Sequence, residues 1–296
     1  PKGGTGGVAA AIASAARALG TEIRTEAPVA EVLVRDGRAT GVVLESGEEI
    51  EATHVLSTVD ARRTFLDLLP DDTLSPEFEA EVRRFRFRGS SGKVNLALDG
   101  LPSFTSLPGR GEHLRGAMSF SPSVEYMETA YDDAKAGRFS RRPYIDMIIP
   151  TLVDPTMAPP GKHVMSCFVH WAPYHLAPDQ GTWDDQREAF GDAVIDVIAE
   201  RAPNIRDIIL HRQVVTPLDM ERDVGLTEGN IFQGELTLEQ LFFNRPGPGW
   251  SRFQTPVDKL WLAGSSTHPG GGIMGANGRL AAMKVLEQMK RTGGAA

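Results

Sequence analysis

The residues most suited to chemistry lie in a glycine-rich segment near the end of the chain, Gly264–Arg279. This segment follows a short apolar run, Lys259–Ala263, and leads into an amphipathic stretch, Met274–Lys290, so the pattern predicts a strand, a glycine loop and a helix. A helix start presents unpaired N–H groups and a partial positive charge, and glycines let a flat or anionic group approach the backbone. An ordinary surface turn has the same spacing, so spacing alone leaves both interpretations open.

Histidines supply the other candidate reactive groups. His268 lies inside the glycine loop, where it is either an acid/base group or a residue that orients the loop, and the second role is favoured. His163, His170 and His175 lack a helical His-x-x-x-His spacing or a carboxylate-rich neighbour, so no metal site is predicted. No catalytic nucleophile or obligate base is identified, and His268 is the one weak catalytic candidate.

Composition narrows the class of protein. The 296 residues contain 31 Lys and Arg against 39 Asp and Glu, a net charge of −8, which argues against a nucleic-acid partner. No apolar run reaches the ~18 residues of a membrane-spanning helix, so no transmembrane segment is predicted. The single cysteine, Cys167, is predicted to be a buried strand thiol and fits a reducing compartment, so a cytoplasmic location is expected.

The order of elements predicts a mixed α+β fold with two domains. Residues 1–72 are predicted to contain a helix over about residues 5–19, with Val8, Ile12, Ala15 and Leu19 on one apolar stripe, and a second helix over about residues 60–69. Between the helices we predict β segments at residues 22–25, 29–35, 39–45, 48–52 and 54–58, with hairpin turns at Asp36-Gly37 and Ser46-Gly47. Residues 256–296 return to strand, loop and helix, and we expect these two segments to form one discontinuous domain.

Residues 73–255 contain long apolar strands, charged helices and an amphipathic helix over Val124–Lys135, and they are predicted to form a second, mostly antiparallel domain.

Many large apolar residues fall in this middle segment. Their composition is typical of a hydrophobic core; they include Phe104, Met118, Phe120, Tyr126, Met147, Phe168 and Trp171. In the last helix, a stripe of apolar residues is spaced for burial: Leu280, Met283, Leu286 and Met289.

The terminal glycine segment resembles a known sequence signature. Ala263–Ala281 is similar to the C-terminal FAD signature of phytoene dehydrogenases, carotenoid desaturases and their relatives in the amine-oxidase-like flavoprotein superfamily. Thr267–Gly272 most resembles the branch described as pyridine nucleotide-disulfide oxidoreductase domain-containing. Three further stretches resemble the same family in the expected order: Pro1–Gly6, Ala27–Asp60 and Gly229–Pro246.

The resemblance implies FAD as cofactor and assigns residues to it. Val29 matches a valine whose backbone contacts the adenine, and Ser57 and Thr58 lie where the chain passes near the pyrophosphate. Relatives often carry an acidic residue after the glycine that ends the last strand, where this chain has Ser265 and Ser266. The residues matched to the last strand's end and the isoalloxazine are Gly264, Gly271, Gly272, Ile273 and Met274.

One part of the family pattern is not found. Relatives open with a strand, a G-x-G-x-x-G turn and a helix that hold the ADP moiety, whereas no strand precedes Gly3–Gly7 here. We therefore expect a C-terminal portion that by itself binds FAD weakly or not at all. We also expect an exposed apolar face, which a second copy of the chain would cover.

The predicted activity follows from the family. We expect the whole protein to be an FAD-dependent dehydrogenase or desaturase of a hydrophobic, isoprenoid-like small molecule. The resemblance to polyene-desaturating enzymes also suggests that some large apolar residues of the middle segment line a substrate tunnel, and the sequence does not separate tunnel lining from core. A flavin amine oxidase or isomerase of the same superfamily and a non-catalytic protein-interaction scaffold are the alternatives.

Overall fold

A computed structural model describes residues 2–293, so Pro1 of the first family segment and residues 294–296 of the last predicted domain segment lie outside the described residues. Its helices are α1 (Gly4–Ala18), α2 (Pro76–Arg84), α3 (Val124–Lys135), α4 (Trp183–Ala199), α5 (Ile205–Ile208), α6 (Pro217–Val224) and α7 (Ala276–Gly293). Its strands are β1 (Val29–Arg35), β2 (Arg38–Leu44), β3 (Glu49–Glu51), β4 (Val55–Ser57), β5 (Ser91–Leu98), β6 (Met118–Phe120), β7 (Tyr144–Ile148), β8 (His163–His170), β9 (Ile209–Val215) and β10 (Leu260–Leu262).

The chain divides into two compact units, and each unit is built from two separate segments. The first unit is Pro1–Ile23 with Gly89–Val224, and the second unit is Arg24–Arg88 with Gly225–Ala296. This division differs in its boundaries from the predicted one. The segment that contains α1 groups with the middle of the chain, whereas residues 73–88 and 225–255 group with the glycine-rich terminal segment.

The first unit is organised around a five-stranded antiparallel sheet with the order β6-β7-β8-β5-β9. Side chains on β5 and β8 alternate between buried and half-buried, as expected for a sheet with one face on the core. Helix α4 covers the buried face, and a capping box between Thr182 and Asp185 fixes where it begins. Cys167 is buried in the middle of β8, as its apolar neighbours predicted, and burial raises the pKa of its thiol to about 12.

The second unit combines a three-stranded antiparallel sheet, β1-β2-β3, with the parallel pair β4 and β10. The predicted hairpin turn between β1 and β2 is present, since Asp36 and Gly37 have φ angles of 50° and 71°, the left-handed pair that a tight hairpin needs. One core joins the two sheets, and it contains Val32, Phe65, Val82 and Leu260. The mixed α+β fold class is confirmed.

Two local predictions differ in detail from the structure. Residues 22–25, predicted as a strand, lie outside the strands. The helix predicted over residues 60–69 is present over residues 61–67, but its greater part, Arg63–Asp67, is π-helical. Both segments are short, and local propensity is a weak guide where packing decides the backbone.

Helix α7 turns a different face inward from the predicted one. The apolar stripe expected to be buried is exposed, from 36% at Leu280 to 55% at Leu286. The face that packs carries Asn277, Ala281 and Val285, spaced four residues apart, and Ala281 lies against the cluster around Trp261. In the first unit, α1 buries no residue, and Ile12 on its predicted apolar stripe is 65% exposed. Among the described residues, no helix has the length and apolarity needed to cross a membrane.

Candidate functional site

The parallel strands β4 and β10 position the glycine loop. Their register pairs Leu260 with Val55 and Leu262 with Ser57, and the N–H of Ala263 donates to the Ser57 carbonyl oxygen at 2.7 Å. Because parallel strands end at the same edge of a sheet, the segments that follow them meet there. The structure therefore brings together three predicted site residues: Ser57, Thr58 and Gly264.

Gly264 occupies a position that only glycine fits without distortion. Its φ angle is 80°, in the left-handed region that side chains with a Cβ disfavour. A Cβ built on it would lie 2.6 Å from the Thr58 carbonyl oxygen and 3.2 Å from Gln233 Oε1. Close approach of two backbone segments explains the glycine that the sequence places after the last strand.

The beginning of the loop is held rigid by its own hydroxyl groups. The Thr267 hydroxyl donates to the Gly264 carbonyl oxygen at 2.8 Å, and the Gly270 N–H donates to the Thr267 carbonyl oxygen at 2.7 Å. The Ser266 hydroxyl donates to the Gln233 carbonyl oxygen at 2.6 Å and accepts the Ala61 N–H at 3.2 Å. Both hydroxyl-bearing residues are fully buried, so these bonds form away from water.

Gln233 is a structural residue of the site that sequence reasoning missed. Its Oε1 accepts the Ser265 N–H at 3.0 Å, while its carbonyl oxygen accepts the Ser266 hydroxyl. The two serines that stand where relatives often carry an acid are therefore anchored to residue 233. Its place within Gly229–Pro246, a stretch with family resemblance, was the available signal.

Arg245 is a second missed residue, and it ties the loop to the segment before it. Its side chain is fully buried and contacts backbone carbonyls: Nε donates to Ser265 at 2.8 Å, Nη2 to Phe232 at 2.7 Å and Nη1 to Glu235 at 3.1 Å. Burial lowers its pKa to about 10, which leaves the guanidinium charged at neutral pH. The guanidinium also lies over the Phe85 ring at 5.5 Å.

The far end of the loop is tied to the first turn of α7. Asn277 is buried, and its Nδ2 donates to the carbonyl oxygens of Thr267 at 3.0 Å and His268 at 3.3 Å. The imidazole of His268 stacks on Phe243, with centroids 5.8 Å apart and planes 11° apart. Its Nδ1 is buried without a hydrogen-bond partner among the described residues. These contacts support the loop-orienting role of His268, and an acid/base role stays a prediction.

The turn that follows β4 is also fixed by buried polar contacts. Asp60 is 1% exposed, and its carboxylate accepts the Arg63 N–H at 3.0 Å and the Thr227 hydroxyl at 2.6 Å. The hydroxyls of Ser57 and Thr64 are 2.7 Å apart. The turn after β4, where the pyrophosphate contact is predicted, is therefore held by contacts within residues 57–64 and by one contact from Thr227.

The tip of the loop contrasts with this rigid base. Gly271 packs so closely on the Phe232 ring that an added Cβ would lie 2.7 Å from it. The next residues project outward: Ile273 is 90% exposed and Met274 is 57% exposed. Both precede the start of α7, whose first N–H groups have no intrahelical acceptor.

This tip fits one edge of a flavin. The apolar side chains of Ile273 and Met274 suit the flat ring, Gly272 and Gly275 have no side chain to obstruct it, and the helix start suits its anionic pyrimidine edge. Val29 lies elsewhere in the same unit. It begins β1, opposite Leu44, in the antiparallel sheet, and is 37% exposed.

No metal centre is evident in the part of the chain that the structure describes. Groups of three or more His, Cys, Asp or Glu side chains that could hold a metal ion are not found among residues 2–293. The glycine loop instead leads to the first N–H groups of α7, which suit an anionic or hydrogen-bonding organic group.

Comparisons with known proteins establish the family of this chain. The family model described as flavin containing amine oxidoreductase matches residues 1–212, so this chain belongs to that flavin oxidoreductase family. The match ends before the glycine loop, which begins at residue 264.

Two relatives and one solved structure extend the similarity over the whole chain. Pyridine nucleotide-disulfide oxidoreductase domain-containing protein 2 of Rattus norvegicus is 41% identical over 98% of this chain and 51% of the relative. The neurosporene-forming phytoene desaturase of Cereibacter sphaeroides is 29% identical over 96% of this chain and 52% of the relative. An oxidoreductase from Methanosarcina mazei has the same fold, with a TM-score of 0.61 at 20% identity over 97% of this chain and 55% of that one. The chain thus spans about half the length of the relatives it matches.

Proposed function

We propose that this chain contributes one wall of the FAD site of an oxidoreductase that oxidises a hydrophobic, isoprenoid-like small molecule. The observation that carries the proposal is the glycine loop, with its rigid buried base and the exposed apolar tip at Ile273 and Met274 before α7. The membership in a flavin oxidoreductase family and the similarity to a phytoene desaturase support it.

The chain's own residues would divide the work of holding and tuning the cofactor. Bound FAD would supply the redox chemistry, by accepting a hydride from the substrate. The start of α7 would stabilise negative charge at the pyrimidine edge, because its N–H groups are free and its dipole is positive there. Ser57 and Thr58 would line the pyrophosphate, the backbone at Val29 would meet the adenine, and Gly264 would keep the strand end close.

We propose further that an upstream dinucleotide-binding unit supplies the opposite wall. The relatives are about twice as long as this chain, and a G-x-G-x-x-G unit holds the ADP moiety in dinucleotide-binding folds. The 296-residue chain alone would then bind FAD weakly. Tight, stoichiometric flavin absorbance in this chain alone would overturn this part of the proposal.

The exposed apolar side chains of α7 need a partner surface. We propose that in the isolated chain they are covered by a second copy, because Met283 and Leu286 are each more than half exposed on one helix. Sedimentation equilibrium should then give a dimer, and a Met283→Glu and Leu286→Glu double variant should give a monomer. A wild-type chain that stays monomeric at all protein concentrations would contradict this.

The substrate class is tested in the whole protein, with the dinucleotide-binding unit present. Under anaerobic conditions, a polyene such as phytoene should bleach the flavin absorbance, whereas amines such as putrescine should not. Bleaching by amines alone would favour the alternative of amine oxidation, which the family's description supports. Isomerised polyene without net bleaching would indicate an isomerase. Failure of the whole protein to bind FAD would favour a non-catalytic scaffold.

A further inference from the structure

The first unit contains an open cavity of about 440 Å³ at the edge of its five-stranded sheet. This volume is within the ~300–1,000 Å³ range of small-molecule sites. Its walls are mainly apolar, and they are formed by Phe104, Leu107, Met118, Phe120, Pro122 and Met147. All of these residues belong to the first unit, whereas the glycine loop belongs to the second.

The floor of the cavity is part of the hydrophobic core. Met118 and Met147 are opposite each other in the pairing of β6 with β7, and Met147 is only 2% exposed. Phe120, two residues along β6, is 8% exposed and packs in the same core cluster. The sheet register therefore sets the shape of the floor, which makes it a preformed surface.

The opposite wall is hydrogen-bonded in place. The Thr105 N–H donates to the Arg201 carbonyl oxygen at 2.8 Å, and the Ser103 N–H donates to Asn204 Oδ1 at 2.8 Å. A further turn is closed by the Leu107 N–H, which donates to the Phe104 carbonyl oxygen at 3.1 Å. These bonds hold the loop that carries Phe104 and Leu107 against the segment after α4.

Two polar side chains at the cavity lack an ion-pair or hydrogen-bond partner among the described residues. Arg201 is an exposed residue that lines the cavity, and its guanidinium makes no ion pair with any residue that the structure describes. Neighbouring arginines differ: Arg142 pairs with Glu200 at 2.9 Å, and Arg206 pairs with Asp196. The Nε2 of His113, another lining residue, is buried and has no hydrogen-bond partner among the described residues.

The negative groups near the cavity are already engaged. Ser119, which lines the cavity, donates its hydroxyl to Asp146, and that carboxylate also accepts the Tyr144 hydroxyl at 2.9 Å. Glu112 is 91% exposed and lies 3.8 Å from Arg115. The unpaired charge at the cavity is therefore positive.

We propose that this cavity binds an amphipathic organic anion, with its apolar body on the methionine and phenylalanine side chains and its carboxylate at Arg201. Apolar walls with a few convergent polar groups are the usual form of a small-molecule site. A free guanidinium matches a carboxylate by paired, charge-assisted hydrogen bonds. The proposal requires no flavin, because every residue in it belongs to the first unit.

The test is a calorimetric titration of the 296-residue chain with dodecanoate below its micelle concentration. Dodecanol and dodecyltrimethylammonium have the same tail with a neutral or a cationic head, so they separate the charge contribution from the tail contribution. We expect saturable binding of one dodecanoate per chain, with dodecanol at least ~10-fold weaker, since a charge-assisted hydrogen bond is worth about 1.5–3 kcal/mol and tenfold is 1.4 kcal/mol.

Three variants make the test specific. Arg201→Gln should weaken dodecanoate at least ~10-fold and leave dodecanol unchanged, because it removes only the exposed guanidinium. Ser121→Trp, which fills the cavity from its lining, should weaken both ligands. Arg110→Gln is the matched control, because Arg110 is exposed, follows Phe104 and Leu107 in the chain and does not line the cavity. This variant should bind both dodecanoate and dodecanol as the wild type does.

Thermal unfolding of each variant shows whether it has folded, and only folded variants are compared. Absence of saturable dodecanoate binding by the wild-type chain would overturn the proposal. Equal affinity for the three head groups, or an Arg201→Gln variant that keeps the wild-type preference for the carboxylate, would also overturn it.

Discussion

Replacing Arg245 with methionine tests whether the buried guanidinium holds the glycine loop in place. The side chain of Arg245 is fully buried, and its three shortest bonds go to the backbone carbonyls of Ser265, Phe232 and Glu235. Methionine keeps the length and apolar volume of the arginine stem but donates no hydrogen bond. The substitution removes all six hydrogen bonds from the guanidinium to backbone carbonyls, and the carbonyls of the three shortest bonds must find other partners.

The magnitude follows from those three carbonyls. Each buried acceptor left without a donor costs about 1–3 kcal/mol, and the lower end applies because methionine also removes a buried charge. We expect Arg245→Met to reduce the free energy of unfolding of the second unit by about 3 kcal/mol. At ~2–4 °C per kcal/mol, its unfolding midpoint should fall by roughly 6–12 °C.

Differential scanning calorimetry measures this change, with Arg83→Met as the matched control. Arg83 lies in the same unit, is 65% exposed and lies 3.8 Å from Glu79, so its replacement should change the unfolding free energy by less than ~0.5 kcal/mol. If Arg245→Met unfolds within 1–2 °C of the Arg83→Met control, a shift of well under ~1 kcal/mol, the reasoning about the loop's anchor is wrong.

Three further predictions concern backbone geometry, thiol reactivity and pH. Gly264→Ala places a Cβ 2.6 Å from a backbone carbonyl oxygen at a φ angle of 80°, so calorimetry should show a free energy of unfolding reduced by about 2–4 kcal/mol. Gly47→Ala, at a φ angle of 85° with open space around it, should reduce the free energy of unfolding by only about 1–2 kcal/mol. Since burial raises the pKa of Cys167 to about 12, the folded chain should resist a thiol reagent at about pH 8 and react rapidly in urea; fast labelling of the folded chain would contradict this. Burial lowers the pKa of His170 in the folded chain below its unfolded value of about 6.5, so protonation of this histidine favours the unfolded chain. The stability that the neutral imidazole contributes is therefore complete above about pH 6.5 and is lost as the pH falls from there through the lower pKa of the folded chain. His170→Asn should therefore lose less stability than wild type between about pH 7.5 and pH 5 in urea titrations, and parallel pH profiles would refute this assignment.

Elements with strong local signals were predicted well from the sequence. Helix α3 was predicted at its observed bounds, Val124–Lys135, because its amphipathic spacing is a local feature. Strand β1 and its tight turn at Asp36-Gly37 were predicted for the same kind of reason. The glycine loop was also predictable, since strand, glycines and helix are adjacent in sequence.

The parts of the site that depend on distant contacts were not predictable. Arg245 and Gln233 bond to loop residues 20 and 32 positions away, and the sequence shows neither the burial nor the partner of such a side chain. The face of α7 was predicted wrongly for a related reason. Its larger residues gave the stronger apolar stripe, but the neighbouring cluster accepts the smaller Ala281 instead.

The central claim, that the glycine loop contacts a flavin, is tested most directly by FAD affinity in the whole protein. Ile273 is 90% exposed, so Ile273→Glu should leave folding unchanged while placing a negative charge and a polar group at the proposed flavin edge. Leu238→Glu, 84% exposed in the same unit but outside the loop, is the matched control.

We predict that Ile273→Glu weakens FAD binding at least ~10-fold, a loss of about 1.4 kcal/mol, while Leu238→Glu binds FAD as the wild type does. Wild-type FAD affinity in the Ile273→Glu protein, or the same loss in both variants, would contradict the claim.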